Sequence, residues 1–192
     1  MGQEALTTLP TPLMIIRATS TVFCLLMLAG TLGARTAAKA SAPSVMGDLR
    51  QLWRQGTDYV GRSAAAVPDS AFAFRPTASV RTFGQIIGHV AGTQNMICAI
   101  ALGEKVPAED AIEKTATTKA ALVQALKESN TYCARAYAMP DAAVGGMVDL
   151  FGSKATKRSA LMLNATHNFE HYGNIITYMR MQGMVPPSSQ PQ

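Results

Sequence analysis

The chain has 192 residues and a formal charge of +5, with ordinary apolar content and no long run of charge. That length fits one domain once a targeting segment is removed. Residues 1–40 carry Arg17, Arg35 and Lys39 against Glu4, so only +3 is left for the remainder. No basic stripe with interleaved aromatics occurs, and nucleic acid is not an expected partner.

The N-terminal region reads as an export signal. Arg17 precedes an apolar run from Val22 to Leu32, and Ala38-Lys39-Ala40 fits a small-residue cleavage site. Residues 1–40 are therefore assigned as a signal peptide, with a mature chain starting near Ser41 in the periplasm or outside the cell. Met14 would give a more usual signal start, because residues 1–13 hold Glu4 and two prolines. The apolar run is shorter than the about 20 residues a membrane-spanning helix needs, so no stable membrane anchor is expected. An uncleaved anchor is the alternative.

Four long helices follow. The first runs from about Ser44 to Ala66, with Met46, Leu49, Trp53 and Val60 at helical spacing and Pro68 as a stop. Residues 68–80 read as a loop packed by Phe72 and Phe74. The second helix runs from Thr82 to Leu102. Thr82 and Gln85 match a capping box, and Gly103 ends the helix. Gly88 and Gly92 flank His89, where missing side chains let a neighbouring helix or ligand come close. Residues 103–116 form a polar connection. The third helix runs from about Thr117 to Ala138, and residues 141–156, rich in glycine, form a second long connection. The fourth helix runs from about Lys157 to Gln182, with Gly183 at its end. Residues 41–188 thus make one all-α domain, a four-helix bundle, and residues 189–192 a disordered tail.

The chain has three histidines, and two lie four residues apart in the fourth helix. Residues i and i+4 share a helix face, so His167 and His171 point the same way and can hold one metal ion with a third ligand from elsewhere. The remaining histidine is His89. Three imidazoles leave coordination open for water or substrate, and zinc or nickel is the expected ion, although imidazole also suits iron and copper. The plain alternative is a set of ordinary hydrogen-bonded helix histidines.

Gln85 and Thr93 lie one turn either side of His89, and Asn164 lies three residues before His167. They are the candidates to hydrogen-bond and orient the ligand rings. Glu170 is a weak candidate for a general base, with a solvated surface carboxylate as its alternative. No catalytic residue is otherwise assigned.

Two stretches carry a family resemblance. Phe74-Arg75-Pro76 with Val80-Arg81-Thr82-Phe83-Gly84-Gln85-Ile86-Ile87-Gly88-His89 resembles the second-helix motif of DinB-like proteins. His171-Tyr172-Gly173-Asn174 with Tyr178-Met179-Arg180 and Gly183-Met184-Val185-Pro186-Pro187 resembles their fourth-helix motif. The resemblance to this DinB/YfiT superfamily of metal-dependent enzymes covers about residues 44–188. It implies an up-down-down-up bundle with a long crossover between the second and third helices, often dimeric. It also implies a divalent metal on His89, His167 and His171. Relatives include thiol-dependent transferases and isomerases, so the implied activity is metal-assisted hydrolysis or thiol transfer on an unknown small molecule. The alternative is a non-catalytic metal-binding or dimerising bundle. A wide polar pocket above the histidines would favour the enzyme, and closure by apolar side chains the alternative.

Cys98 and Cys133 each lie 16 residues after the expected starts of the second and third helices, at Thr82 and Thr117. If those helices are parallel, the two sulfurs sit at one height. In an antiparallel hairpin they would be displaced by on the order of 15 Å. The 14-residue connection, reaching about 46 Å when extended, can return along the bundle. Parallel helices and a Cys98–Cys133 disulfide are therefore expected, against the alternative of two buried free thiols.

Overall fold

The computed structural model describes residues 44–191. The expected export signal and its cleavage site lie outside the described residues. Among the described residues, no helix is long and apolar enough to cross a membrane.

Helix α1 spans Val45–Ala66. Its first turn has free backbone N–H groups, and two side chains answer them. Ser44 Oγ accepts from Gly47 N, and the Asp141 carboxylate accepts from Met46 N at 2.8 Å and Val45 N at 3.2 Å. The second of these also ties the far end of the bundle to the start of α1. Helix α2 spans Phe83–Leu102; the capping box of Thr82 and Gln85 forms, and Gly103 closes the helix at φ 74°. Most of α2 is buried, which makes it the central element.

The connection after α2 holds a short helix, α3 (Ala111–Thr115), that the polar sequence did not announce. Helix α4 spans Lys119–Tyr137, starting two residues later than expected, with Thr118 as its cap. The second connection also differs from the expected irregular loop. It contains a hairpin of β1 (Met147–Leu150) and β2 (Ser153–Thr156), with Met147 opposite Thr156. Its two-residue turn places Phe151 at φ 57° and Gly152 at φ 82°, the paired positive angles that match the twist of a tight hairpin. Thr156 then caps α5 (Lys157–Met181) by accepting from Ser159 N.

Cross-helix contacts set the directions. Gln94 meets Ser129 and Asn130, and Cys98 meets Cys133, so α2 and α4 run parallel. Tyr178 bonds the Arg81 carbonyl while Asn164 reaches Cys98, so α5 runs against α2. Arg50 bonds the Tyr137 carbonyl while Lys119 bonds that of Val67, so α1 runs against α4. The order is up-down-down-up. The disulfide joins α2 to α4 with a Cα–Cα distance of 5.4 Å, closing a 35-residue separation. A loop of that size restricts the unfolded chain by about 2–4 kcal/mol.

A polar tie centred on Gln94 crosses the apolar core. Buried Gln94 accepts from Trp53 Nε1 at 2.8 Å and donates to Asn130 Oδ1 at 2.8 Å; Asn168 Nδ2 reaches it at 3.3 Å. One side chain thus links all four long helices, and Trp53 also stacks on Tyr137 at 4.5 Å between centroids. Leaving any of these polar groups unpaired would cost about 1–3 kcal/mol, which favours a single helix register. At the C-terminus, Ser189 and Gln190, read from the sequence as part of a tail, bond Arg180 and Arg62.

Gly88 and Gly92 give the crossover its seat. A Cβ on Gly92 would overlap the Glu109 carbonyl oxygen, and one on Gly88 would come within 2.8 Å of Glu113 Cα. Backbone cannot yield as a side-chain tip can. Gly92→Ala is therefore expected to destabilise the protein by about 1–3 kcal/mol in urea unfolding, despite its better helix propensity. Gly173→Ala, at a position with open space around it, is the control and should be neutral or stabilising by up to about 1 kcal/mol. Equal behaviour of the two variants would contradict this packing.

Candidate metal centre

Antiparallel α2 and α5 bring the three histidines to one point. His167 Nε2 lies 3.2 Å from His89 Nε2 and 2.9 Å from His171 Nε2. The ligand nitrogens of all three lie within 4.8 Å of one another. His89 and His171 are buried, and His167 is half-buried. The expected i,i+4 pair and the distant third histidine therefore do meet.

The donor set fits a divalent ion. Nitrogens bound to one ion at about 2.0–2.1 Å sit about 2.9 Å apart at right angles and about 3.4 Å apart at the tetrahedral angle. The two spacings to His167 Nε2 fall in that range. A ring nitrogen offers either one proton or one lone pair, so His167 Nε2 does not make two full hydrogen bonds to its neighbours. Three lone pairs facing one point suit a cation. Burial, together with the neighbouring histidines and the Arg81 charge, lowers the proton affinity of the rings. His167 is brought down to about 3 and His171 to about 4, and His89 also lies below its usual value. At neutral pH the rings are uncharged, the state in which imidazole ligates.

Crossover carboxylates supply what the flanking helix residues do not. Glu109 Oε1 lies 3.6 Å from His89 Nδ1 and Glu113 Oε2 lies 3.9 Å from it. Both favour a proton on Nδ1, which leaves the Nε2 lone pair facing inward. Thr93 Oγ1 donates to Glu109 Oε1 at 3.1 Å, so Thr93 acts on His89 through that carboxylate. Gln85 does not bond His89, because its side-chain oxygen is used by the Thr82 N–H of the capping box. Asn164 points away from His167, to Tyr137 Oη at 3.1 Å and to the two cystine sulfurs. Glu170 is exposed and makes no hydrogen bond among the described residues, although its charge is felt by His89. Instead, Asn174 approaches His171 Nδ1 at 3.4 Å. Glu109 and Glu113 were missed because they lie in a connection. Their only signal is an acidic pair at i,i+4 opposite the Gly88/Gly92 groove.

A cavity of about 570 Å³ opens beside His171, between Arg75, Arg81, Glu113, Asn174 and Tyr178. A slightly larger groove of about 610 Å³ is lined by Arg50, Arg54 and Asn130 and holds no histidine or carboxylate, so the chemistry belongs to the first.

The fold has solved counterparts. A DinB-like protein from Bacillus cereus ATCC 10987 is 20% identical with a TM-score of 0.65, covering 75% of this chain and 96% of its own. A DinB-like protein from Bacillus subtilis is 18% identical with a TM-score of 0.59, covering 76% and 99%. A mycothiol-dependent maleylpyruvate isomerase is 18% identical with a TM-score of 0.57, covering 68% of this chain and 60% of the isomerase. No curated protein matches the chain. A sequence profile described as the DinB superfamily matches residues 46–175, most of the described bundle, and the chain belongs to that superfamily.

Proposed function

We propose that His89, His167 and His171 hold one divalent ion, zinc or nickel, and that the protein is an exported metal-dependent enzyme acting on a small molecule. The observation that carries this reading is the convergence of three uncharged imidazoles, one of which, His171, lines a polar cavity. When bound, the ion supplies a Lewis acid that lowers the pKa of a coordinated water or thiol and polarises a substrate oxygen. The chain's own residues do the rest. The charges of Glu109 and Glu113, 3.6 and 3.9 Å away, favour the His89 proton at Nδ1, Thr93 fixes Glu109, and Asn174 stands beside His171 Nδ1. Metal-assisted hydrolysis or thiol transfer fits these parts. The thiol route is suggested by the mycothiol dependence of the structurally similar isomerase. A non-catalytic metal-binding or dimerising bundle is the rival reading. The polar, open cavity favours the enzyme over it.

The test is elemental analysis of protein purified from its own compartment, followed by hydrolase and thiol-transfer screens with the metal found. Turnover that vanishes on chelation and returns with that metal supports the reading; a tightly held metal with no turnover in either screen favours the rival. Export is supported by the signal-like N-terminus and by the cystine, which persists in oxidising compartments. Mass spectrometry of the unreduced exported protein should show an N-terminus at or near Ser41 and no free thiol among Cys98 and Cys133. Recovery of the intact chain from the cytoplasm with both thiols free would contradict it.

A further inference from the structure

The cavity beside His171 has a charge pattern that the metal site alone does not explain. Arg75 and Arg81 line it together with the Glu113 carboxylate. Arg81 Nε donates to both Glu113 oxygens, at 3.1 and 3.2 Å. Those bonds hold one edge of the guanidinium, and among the described residues no acceptor takes its two terminal nitrogens. The segment itself is fixed, since Tyr178 Oη donates to the Arg81 carbonyl at 2.8 Å. A guanidinium held at its Nε edge, with the terminal fork free, is ready to bind an oxyanion in bidentate fashion.

Charge balance points the same way. Arg81 stands close enough to lower the proton affinity of all three histidines. Glu109 and Glu113 offset Arg75 and Arg81, Glu170 adds one more negative charge felt at His89, and three neutral imidazoles offset nothing. An ion of charge +2 would then leave the site net positive. A bound anion would neutralise it at little reorganisation cost, because the fork is already in place.

Resting on the metal-enzyme reading, we propose that this cavity is an anion subsite. The substrate, or a thiol co-substrate, carries a carboxylate or phosphate that docks on Arg81 and Arg75 while its reacting end faces the histidines. Arg81 is the specificity-determining residue, and Glu113 positions it.

Calorimetric titration tests this on purified protein, metal-free and zinc-loaded. The probes are the dicarboxylates from malonate to adipate, their half-amides, and phosphonoacetate. At least one dicarboxylate should bind the zinc-loaded protein about tenfold more tightly than its half-amide, the size of a lost charge-assisted hydrogen bond. Arg81→Gln should erase that preference and leave zinc affinity within about threefold; retained zinc affinity shows that the variant is folded. If that variant does not fold, Arg75→Gln should reduce the preference instead. A tighter response to phosphonoacetate than to any dicarboxylate assigns the subsite to phosphate. Zinc uptake with no preference for charge anywhere in the series, or a preference that survives both substitutions, overturns the subsite and leaves the metal reading intact. Arg81-dependent dicarboxylate binding in a protein that takes up neither zinc nor nickel overturns the metal reading and leaves the subsite.

Discussion

His167→Ala is expected to remove specific zinc binding, with a loss of affinity well beyond about 10-fold, the lower end of the effect for groups that merely support a ligand. The reason is geometric. His167 Nε2 is the atom that faces both other ring nitrogens, at 2.9 and 3.2 Å. Without it, His89 and His171 come from different helices and keep one donor each. His171→Ala should lose affinity by at least about 10-fold on the same argument. Competition against a chromophoric chelator measures both. The substitution should not unfold the metal-free protein, because it removes a desolvated ring facing two like rings. Unchanged zinc affinity in a folded His167→Ala protein would remove the histidines from the site.

Acid should destabilise the metal-free protein, and the histidines set the window. In the unfolded chain these rings take a proton near pH 6.5; in the folded state His167 does so only at about 3 and His171 at about 4. Below pH 6.5 the unfolded chain therefore binds more protons, and stability falls as pH falls. The contribution is complete above pH 6.5 and lost progressively down to the folded values. At pH 5 the linkage amounts to about 2 kcal/mol for each ring. Urea unfolding at pH 7.5 and pH 5 should thus differ by several kcal/mol. The difference should shrink in a protein carrying both His167→Ala and His171→Ala. Equal pH dependence of the two proteins would place the titrating groups elsewhere.

Much of the bundle was legible because its signals are local. Thr82 with Gln85 defines the start of α2, and Gly103 and Gly183 end their helices with positive φ. The i,i+4 histidines show their shared face without any tertiary information. The direction of α4 was accessible through the cysteines, since a bond between Cys98 and Cys133 requires parallel helices. What stayed hidden depends on long-range packing. Helix α3 has five residues, too few to show a period, and forms where the crossover presses on Gly88 and Gly92. Glu109 and Glu113 reach His89 only through that docking. Asn164 was one helical turn from His167 in sequence. Its actual partners, Tyr137 and the cystine, lie on α4 and α2, and proximity along a helix could not reveal them. The hairpin of residues 147–156 was hidden because its Phe-Gly turn lacks the usual Asn-Gly or Asp-Gly signature.

The measurement that tests the central claim most directly is anomalous diffraction at the zinc edge from crystals of the zinc-loaded protein. One peak is expected among the histidines, at about 2.0–2.2 Å from Nε2 of His89, His167 and His171. No peak at that point, or zinc bound only at surface carboxylates while the three rings keep their mutual contacts, would contradict it.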